Sequence, residues 1–417
     1  MTAGAIEKVS DFDLSDWEFW ARPMPERERA FELLRAEPGP VFFAEPVVPY
    51  AERGPGFYAL ASYADIVEVS RTPEVFSSAA GGSTNIADMP PEFAEYFGSM
   101  INMDDPRHAR LRRIVSRAFT PRMIRKLERD VELAASRIVD ELLLTGPGCD
   151  FVHEVASRLP LKIICDMMGI PESEYRFVLD RTNIILGGLD PEYLPPDNLV
   201  ETLLTAAAEL QGLVQDLAVR RSGKPGDDLL TALVDANIDG ERLTLAELGS
   251  FFILLVVAGN ETTRNAISQG LLLLTLNPDQ RELWLSDVDG YTPGAIEEIV
   301  RLASPVNFMR RKATRDHEVN GHLYREGDKV ALFYWSANRD TRVFAEPYRF
   351  DITRSPNPHL GFGGPGPHFC LGAHLARREV AVMFRELLRR TPAIAAGEPE
   401  RLLSNFINGI KHLPCEF

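Results

Sequence analysis

PHLGFGGPGPHFCLG, residues 358–372, is the most informative stretch of the chain. Five glycines and three prolines in fifteen residues exclude a helix interior or a central strand. The stretch predicts a fixed loop whose glycines let the backbone approach a ligand closely. Residues 373–384 then show helical periodicity. Cys370 therefore lies where a rigid loop enters a helix, and the amides at that point favour an anionic sulfur.

A lone cysteine at this position has two interpretations. The commoner is a buried, inert thiol. The other is a single thiolate bond to iron, since no second cysteine lies nearby to complete a zinc site or a disulfide. The spacing of Gly366, His368, Cys370 and Gly372 favours the iron ligand.

A second informative stretch is a long predicted helix. It begins at a capping box formed by Thr244 and Glu247 and ends at Pro278, roughly 50 Å at 1.5 Å per residue. Residues 251–258 are apolar, but polar groups fill 259–265, which is costly in a core unless those groups are satisfied.

Small residues and a threonine share one face of this helix. Ala258 and Gly259 leave room for a flat ligand, and the hydroxyl of Thr262 lies beside them. The structural alternative is a threonine that bonds back to the carbonyl four residues earlier.

Charged pairs at helical spacing form a third signal. His108 and Arg112 lie four apart, and Glu298 and Arg301 three apart. The ordinary interpretation of either pair is a solvated helix face.

Composition limits the class of protein. The chain has 417 residues, 45% of them hydrophobic, and a net charge of −16, which argues against nucleic acid and an anionic membrane. The four cysteines show no CxxC spacing, so we expect a reducing compartment. Residues 1–20 contain no signal peptide, and no apolar run is long enough for a membrane anchor. We expect a cytoplasmic protein with a single domain, residues 1–417.

Hydrophobic periodicity and the positions of glycine and proline predict the secondary structure. We expect a short strand at 56–61, an irregular segment at 79–100, two helices within 121–180, a helix at 199–221, a turn at 223–228 and then a helix to Asn237. Residues 184–196, broken by Gly188, Pro195 and Pro196, predict a lid-like connection.

Taken in order, these motifs resemble those of the cytochrome P450 family, the haem-thiolate monooxygenases. The resemblance runs from about residue 56 to the C-terminus. It implies a mostly α fold with a small β region and a haem b, iron protoporphyrin IX, ligated by Cys370. Phe362 lies eight positions before Cys370, one more than the family pattern, which leaves the course of residues 363–366 open.

The resemblance assigns roles to single residues. Glu261 and Thr262 would form the acid–alcohol pair that delivers protons for oxygen activation. Glu298 and Arg301 would be a buried structural pair, with Arg349 as a third member. The remaining cofactor-binding residues would be His108, Arg112, Ala258, Gly259, Arg311, Phe362, Gly363, His368 and Gly372. Arg310 competes with Arg311 for a haem propionate, and the family register favours Arg311.

The resemblance is strongest to an actinobacterial group that hydroxylates methyl-branched lipids and sterol side chains, often at the terminal carbon. The substrate pocket would include Val306, Asn307, Phe308 and Met309, with 407–410 re-entering it. In the family, the segment 79–100 covers this pocket.

The implied reaction uses O2 and electrons from a ferredoxin and an NAD(P)H-dependent ferredoxin reductase. Alternatives are a peroxide-driven peroxygenase, disfavoured by the Glu261–Thr262 pair, and a non-catalytic ligand sensor, for which no output domain is visible. We expect the ferredoxin to dock on a basic patch formed by Arg107, Arg110, Arg113, Arg117, Arg377 and Arg378.

Overall fold

The computed structural model describes residues 6–119, 121–187, 190–193, 198–224, 226–236 and 241–417. The described chain is mostly helical, as predicted. The helices are α1 (Trp17–Trp20), α2 (Met24–Ala36), α3 (Tyr63–Arg71), α4 (Pro91–Phe97), α5 (Arg107–Ala118), α6 (Pro121–Thr145), α7 (Arg158–Met168), α8 (Tyr175–Leu186), α9 (Leu199–Arg221), α10 (Leu229–Asp235), α11 (Leu245–Leu276), α12 (Pro278–Ser286), α13 (Val288–Ala303), α14 (Tyr334–Ala337) and α15 (Ala373–Arg390).

The strands form a small β region. They are β1 (Val41–Phe43), β2 (Phe57–Leu60), β3 (Phe76–Ser77), β4 (Cys149–Asp150), β5 (Met309–Ala313), β6 (His317–Val319), β7 (His322–Tyr324), β8 (Lys329–Leu332), β9 (Ala395–Ala396), β10 (Glu400–Arg401), β11 (Ile410–His412) and β12 (Pro414–Glu416). The largest sheet has the order β1-β2-β8-β5-β3, in which β2 and β8 are parallel and the other pairs antiparallel.

Helix α11 is the central element. The predicted capping box is present: Thr244 accepts from the Glu247 amide, and Glu247 accepts from the Thr244 amide. The helix packs against α7, α9, α13 and α15. By length and composition it is the one described helix that qualifies as a membrane span, and its burial among four helices accounts for that apolarity as a core helix.

Two expectations about the elements need correction, and a third falls partly outside the described residues. The region 121–180 holds three helices, α6, α7 and the start of α8, because Gly169 in the left-handed conformation ends α7 before a new turn begins. The segment 79–100 is not wholly irregular, since it contains α4. Of the lid-like connection, Gly188, Pro195 and Pro196 lie outside the described residues, as does Asn237, the predicted end of α10.

The predicted pair on α13 is fully buried. Glu298 accepts from Arg301 through both carboxylate oxygens, at 2.7 and 2.8 Å. The third member is Arg354, whose Nε lies 3.1 Å from Glu298, and not Arg349. Arg349 offers only its backbone carbonyl to Arg301, while its side chain pairs with Glu346 at the surface.

Candidate active site

The cysteine loop is pressed against α3. Gly363 and Gly366 have φ angles of +91° and +147°, which glycine adopts without strain. A methyl group added at Gly364 or Gly366 would overlap Ser70. The Cys370 amide donates to the carbonyl of Phe362 at 3.0 Å. The loop between these two positions therefore closes with the one residue that it has beyond the family pattern.

Cys370 is an exposed residue that lies shortly before the start of α15. The surrounding protein raises the pKa of this thiol, while the Gly372 amide and the charges of Arg112 and Arg377 oppose that rise. Arg112 also donates to the carbonyl of Phe369 at 2.7 Å. The guanidinium of Arg377 lies 4.2 Å from the ring centre of Phe362. The Gly372 amide, Arg112 and Arg377 therefore favour a negative charge on the sulfur, against the larger effect of burial.

Two histidines and two arginines converge beside this loop. The rings of His108 and His368 are 4.3 Å apart at their centres. His108 is buried; its Nδ1 lies 3.3 Å from Asp105, and its Nε2 has no hydrogen-bond partner among the described residues. Burial, together with the charges of Arg311, His108 and Arg112, lowers the pKa of His368 to about 3. Such a convergence of donors and positive charge suits anionic groups.

The structure separates the two adjacent arginines of β5. Arg311 faces a small recess that it shares with Tyr334, Gly366 and His368. Arg310 points the other way and bonds to the segment around Asp88. Of the two, only Arg311 lies on the side of the cysteine loop.

Helix α11 presents Ala258 and Thr262 to a cavity of about 240 Å³. Thr262 donates to the carbonyl of Ala258 at 2.7 Å, the back-bonding that the sequence left as an alternative. Glu261 does not line this cavity: its buried carboxylate is bound by Arg264 and, at 2.9 Å, by Asn265. The position next to Thr262 in sequence lies about 100° away around the helix, which turns Glu261 aside.

Gly259 also departs from the prediction. It is absent from the described cavity wall, and a methyl group added to it would overlap Ile164 of α7. Its missing side chain therefore lets α7 approach α11.

The predicted pocket residues divide into two pairs. Val306 and Met309 line the cavity, but Asn307 and Phe308 do not. Asn307 donates its side-chain amide to the carbonyl of Asn405 at 3.0 Å. Phe308 is 1% exposed and packs in an aromatic cluster with Phe333. Residues 306–308 precede β5, so their side chains do not alternate between two faces as they would in a regular strand.

Much of the cavity wall comes from segments that the sequence singled out. The segment 79–100 does line it, as does Ile407 near the C-terminus. Apolar side chains from five places in the chain share the wall: Val48, Phe93, Ile185, Leu203, Leu254 and Val257. The segment around Val48 and the start of α9 at Leu203 gave no such signal in advance.

The predicted basic patch is largely neutralised. Arg110 pairs with Glu247 at 2.7 Å and Arg113 with Glu241 at 2.7 Å. Arg377 binds Glu297 at 2.6 Å, and Arg378 binds Glu132. The expectation of a free positive face is therefore wrong for these four arginines, although Arg107 and Arg117 are exposed.

Known proteins match this chain over nearly its whole length. A family model described as Cytochrome P450 matches residues 290–393. A methyl-branched lipid omega-hydroxylase of Mycobacterium tuberculosis is 50% identical over 97% of this chain and 94% of its own length. A steroid C26-monooxygenase of the same species is 39% identical over 97% of this chain and 92% of its own.

Solved structures agree with these relatives. A Mycobacterium marinum cytochrome P450 in complex with pseudoionone is 44% identical, with a TM-score of 0.92 and coverage of 99% of this chain and 100% of that one. A helical fold built around a cysteine loop and a long central helix defines a haem-thiolate protein. The chain belongs to the cytochrome P450 family. It is a monooxygenase whose haem is held by a cysteine thiolate, so the alternative of a non-catalytic sensor is wrong.

Proposed function

We propose that this enzyme hydroxylates an apolar lipid, either a methyl-branched chain or a sterol side chain, at a terminal carbon. The observation that carries the proposal is the cavity, whose wall is built from aliphatic and aromatic side chains and reaches Thr262 on α11. Such a wall stabilises an apolar substrate by removing its surface from water. The names of the two relatives support the same substrate class.

The residues around Cys370 fit a haem. The unpartnered Nε2 of His108 is a buried polar atom that needs a partner, and a propionate would supply one. Arg112 and Arg311 bring positive charge to the same region. We therefore assign the thiolate bond to Cys370 and the propionate contacts to His108, Arg112 and Arg311. The loop residues Phe362, Gly363, His368 and Gly372 would hold the haem from the cysteine side, and Ala258 would contact it from α11. When bound, the haem supplies oxygen activation and C–H hydroxylation.

The chain itself supplies positioning and protons. Thr262 is the one residue of the predicted acid–alcohol pair that faces the cavity, so its hydroxyl is the one that can hold a proton there. Glu261 is held by Arg264 in the resting structure. Its participation in proton delivery requires that this ion pair be exchanged for water or for Thr262.

Electrons come, in this proposal, from a ferredoxin that is reduced by an NAD(P)H-dependent reductase, in the cytoplasm. The exposed Arg107 and Arg117 remain available for an acidic partner. Reversing the charge of both should slow reduction at low salt, since exposed charges act mainly on association rates.

The decisive experiment titrates branched fatty acids, isoprenoids and sterones into the purified haem enzyme. At least one should produce a high-spin spectral shift, and turnover with a ferredoxin system should give a product hydroxylated at a terminal carbon. If small polar aromatics alone shift the spectrum, or if the oxygen is placed elsewhere on the chain, the proposed substrate class is wrong.

A further inference from the structure

Arg310 is a fully buried arginine that the reaction does not use. It lies on β5, between Met309, which lines the cavity, and Arg311, which faces the cysteine loop. A guanidinium has five N–H donors in a fixed planar fork. Most donors of a buried group of this kind find an acceptor.

Arg310 directs its whole fork at one segment of the chain. Its Nε donates to the carbonyl of Gly82 at 2.9 Å, and its Nη2 to the carbonyls of Gly82 and Ala80 at 2.6 and 2.8 Å. Its Nη1 donates to the carbonyl of Ile86 at 3.1 Å and to Asp88 at 2.6 Å. These five bonds match the five N–H donors of the guanidinium.

The segment held in this way forms part of the cavity wall. Five residues between the bonded positions or next to them face the cavity: Thr84, Asn85, Ile86, Ala87 and Met89. The backbone of the same segment also meets β5 directly, because the amide of Arg310 donates to the carbonyl of Ser83 at 2.7 Å.

A second layer of charge fixes the end of the segment. The Asp88 carboxylate lies 3.2 Å from Lys329 and 3.4 Å from Lys312. The same Lys329 pairs with the buried Glu45 at 2.8 Å. Asp88 thus fastens the wall to the sheet from the solvent side, while Arg310 holds it from within.

We propose that Arg310 is a positioning residue that determines which substrates the cavity accepts, by fixing residues 80–88 as a rigid wall. The kind of substrate named here rests on the proposed function. The role of Arg310 in holding the wall does not depend on that function. Lysine cannot replace the fork, because three donors on a single atom do not reach four separate acceptors. When the wall is ordered in only a tenth of the molecules, the apparent Kd of a ligand that contacts it rises about tenfold.

The experiment compares Arg310→Lys, Asp88→Asn and wild type as haem-loaded enzymes. Two probes that bind iron through nitrogen are titrated: imidazole, which is small, and 1-dodecylimidazole, whose chain must enter the cavity. Arg310→Lys should bind dodecylimidazole about tenfold more weakly and imidazole within about twofold of wild type. Asp88→Asn, which keeps the inner fork, should show a smaller loss in the same direction. Asp316→Asn removes a surface ion pair with Arg325 and is the control, with no change expected for either probe.

Hydrogen exchange supplies a readout without any ligand. Amides of residues 80–89 should exchange faster in Arg310→Lys, while α11 and α15 keep wild-type protection. The proposal is overturned if those amides are unchanged in both variants, or if both probes weaken by the same factor. Failure of every branched lipid to shift the wild-type spectrum would reject the proposed substrate class and leave this comparison intact.

Discussion

At the scale of single residues, the decisive atom is the sulfur of Cys370. Replacing Cys370 with histidine exchanges a thiolate for a neutral nitrogen, which donates less electron density to iron. The reduced carbon monoxide complex should lose its thiolate-type absorption band. Cys149→Ser, at a partly buried cysteine far from the loop, is the control and should keep that band. An unchanged band in Cys370→His would remove Cys370 as the ligand.

Thr262 should control how much of the NAD(P)H consumed leads to hydroxylated product. Thr262→Ala removes the hydroxyl that faces the cavity and should keep haem and substrate binding. Product formation should fall about a hundredfold or more, with the reducing equivalents released as peroxide, since a positioned proton donor contributes about 10²–10⁴-fold. Thr262→Ser keeps the hydroxyl and should remain coupled. Equal ratios of product to NAD(P)H in Thr262→Ala and wild type would contradict the role.

Glu379 is a buried acid that sequence reasoning missed. Burial raises its pKa to about 8, and a hydrogen bond from Thr263 offsets part of the rise. Because the folded pKa lies above the unfolded value, folding binds a proton, so stability is highest below about pH 4.5 for this group and falls as the pH rises toward 8. Glu379→Gln keeps the shape without the charge. Thermal unfolding between pH 5 and 9 should show a flatter pH dependence in this variant, and parallel curves would refute the assignment.

At the scale of elements, the cysteine loop depends on its contact with α3. Gly366→Ala places a methyl group against the Ser70 carbonyl at a φ of +147°, which is strained for alanine. We expect a loss of about 1–3 kcal/mol in stability and faster haem loss. Gly39→Ala, where an added methyl group meets nothing within 4 Å, is the matched control. Haem retention in Gly366→Ala equal to that of the control would show that the loop adapts.

Local signals predicted the elements and their chemistry well. The capping box of α11 and the loop at Cys370 depend on residues close in sequence, so composition and spacing reveal them. Where the outcome depends on distant partners, prediction failed. Arg377 is neutralised by Glu297, 80 positions away, and Phe308 is drawn into an aromatic cluster with Phe333. Neither partner is visible from the local pattern.

At the scale of the whole molecule, two clusters of opposite polarity fasten the chain around the cavity. Asp88 lies among three cations, and Lys411 lies among three carboxylates. Lys411 is on β11 and is 3.2 Å from Asp190, which also accepts from the amide of Leu403. Ion pairs between residues far apart in sequence thus join the connection after α8 to the C-terminal strands.

Removing the cation of the second cluster should therefore loosen both segments. Lys411→Met leaves Asp190, Glu192 and Glu400 facing one another, and loss of one partner of a mostly buried ion pair costs about 3–5 kcal/mol. The deficit should be largest near pH 7 and shrink toward pH 4, because Lys411 lowers the pKa of Glu400 and the stability from a lowered carboxyl pKa is lost as the pH falls. Thermal unfolding at both pH values measures this. Lys224→Met, at an exposed lysine, is the control and should unfold like wild type. A deficit that does not depend on pH would mean that Lys411 stabilises the fold through packing of its aliphatic stem, and not through its charge.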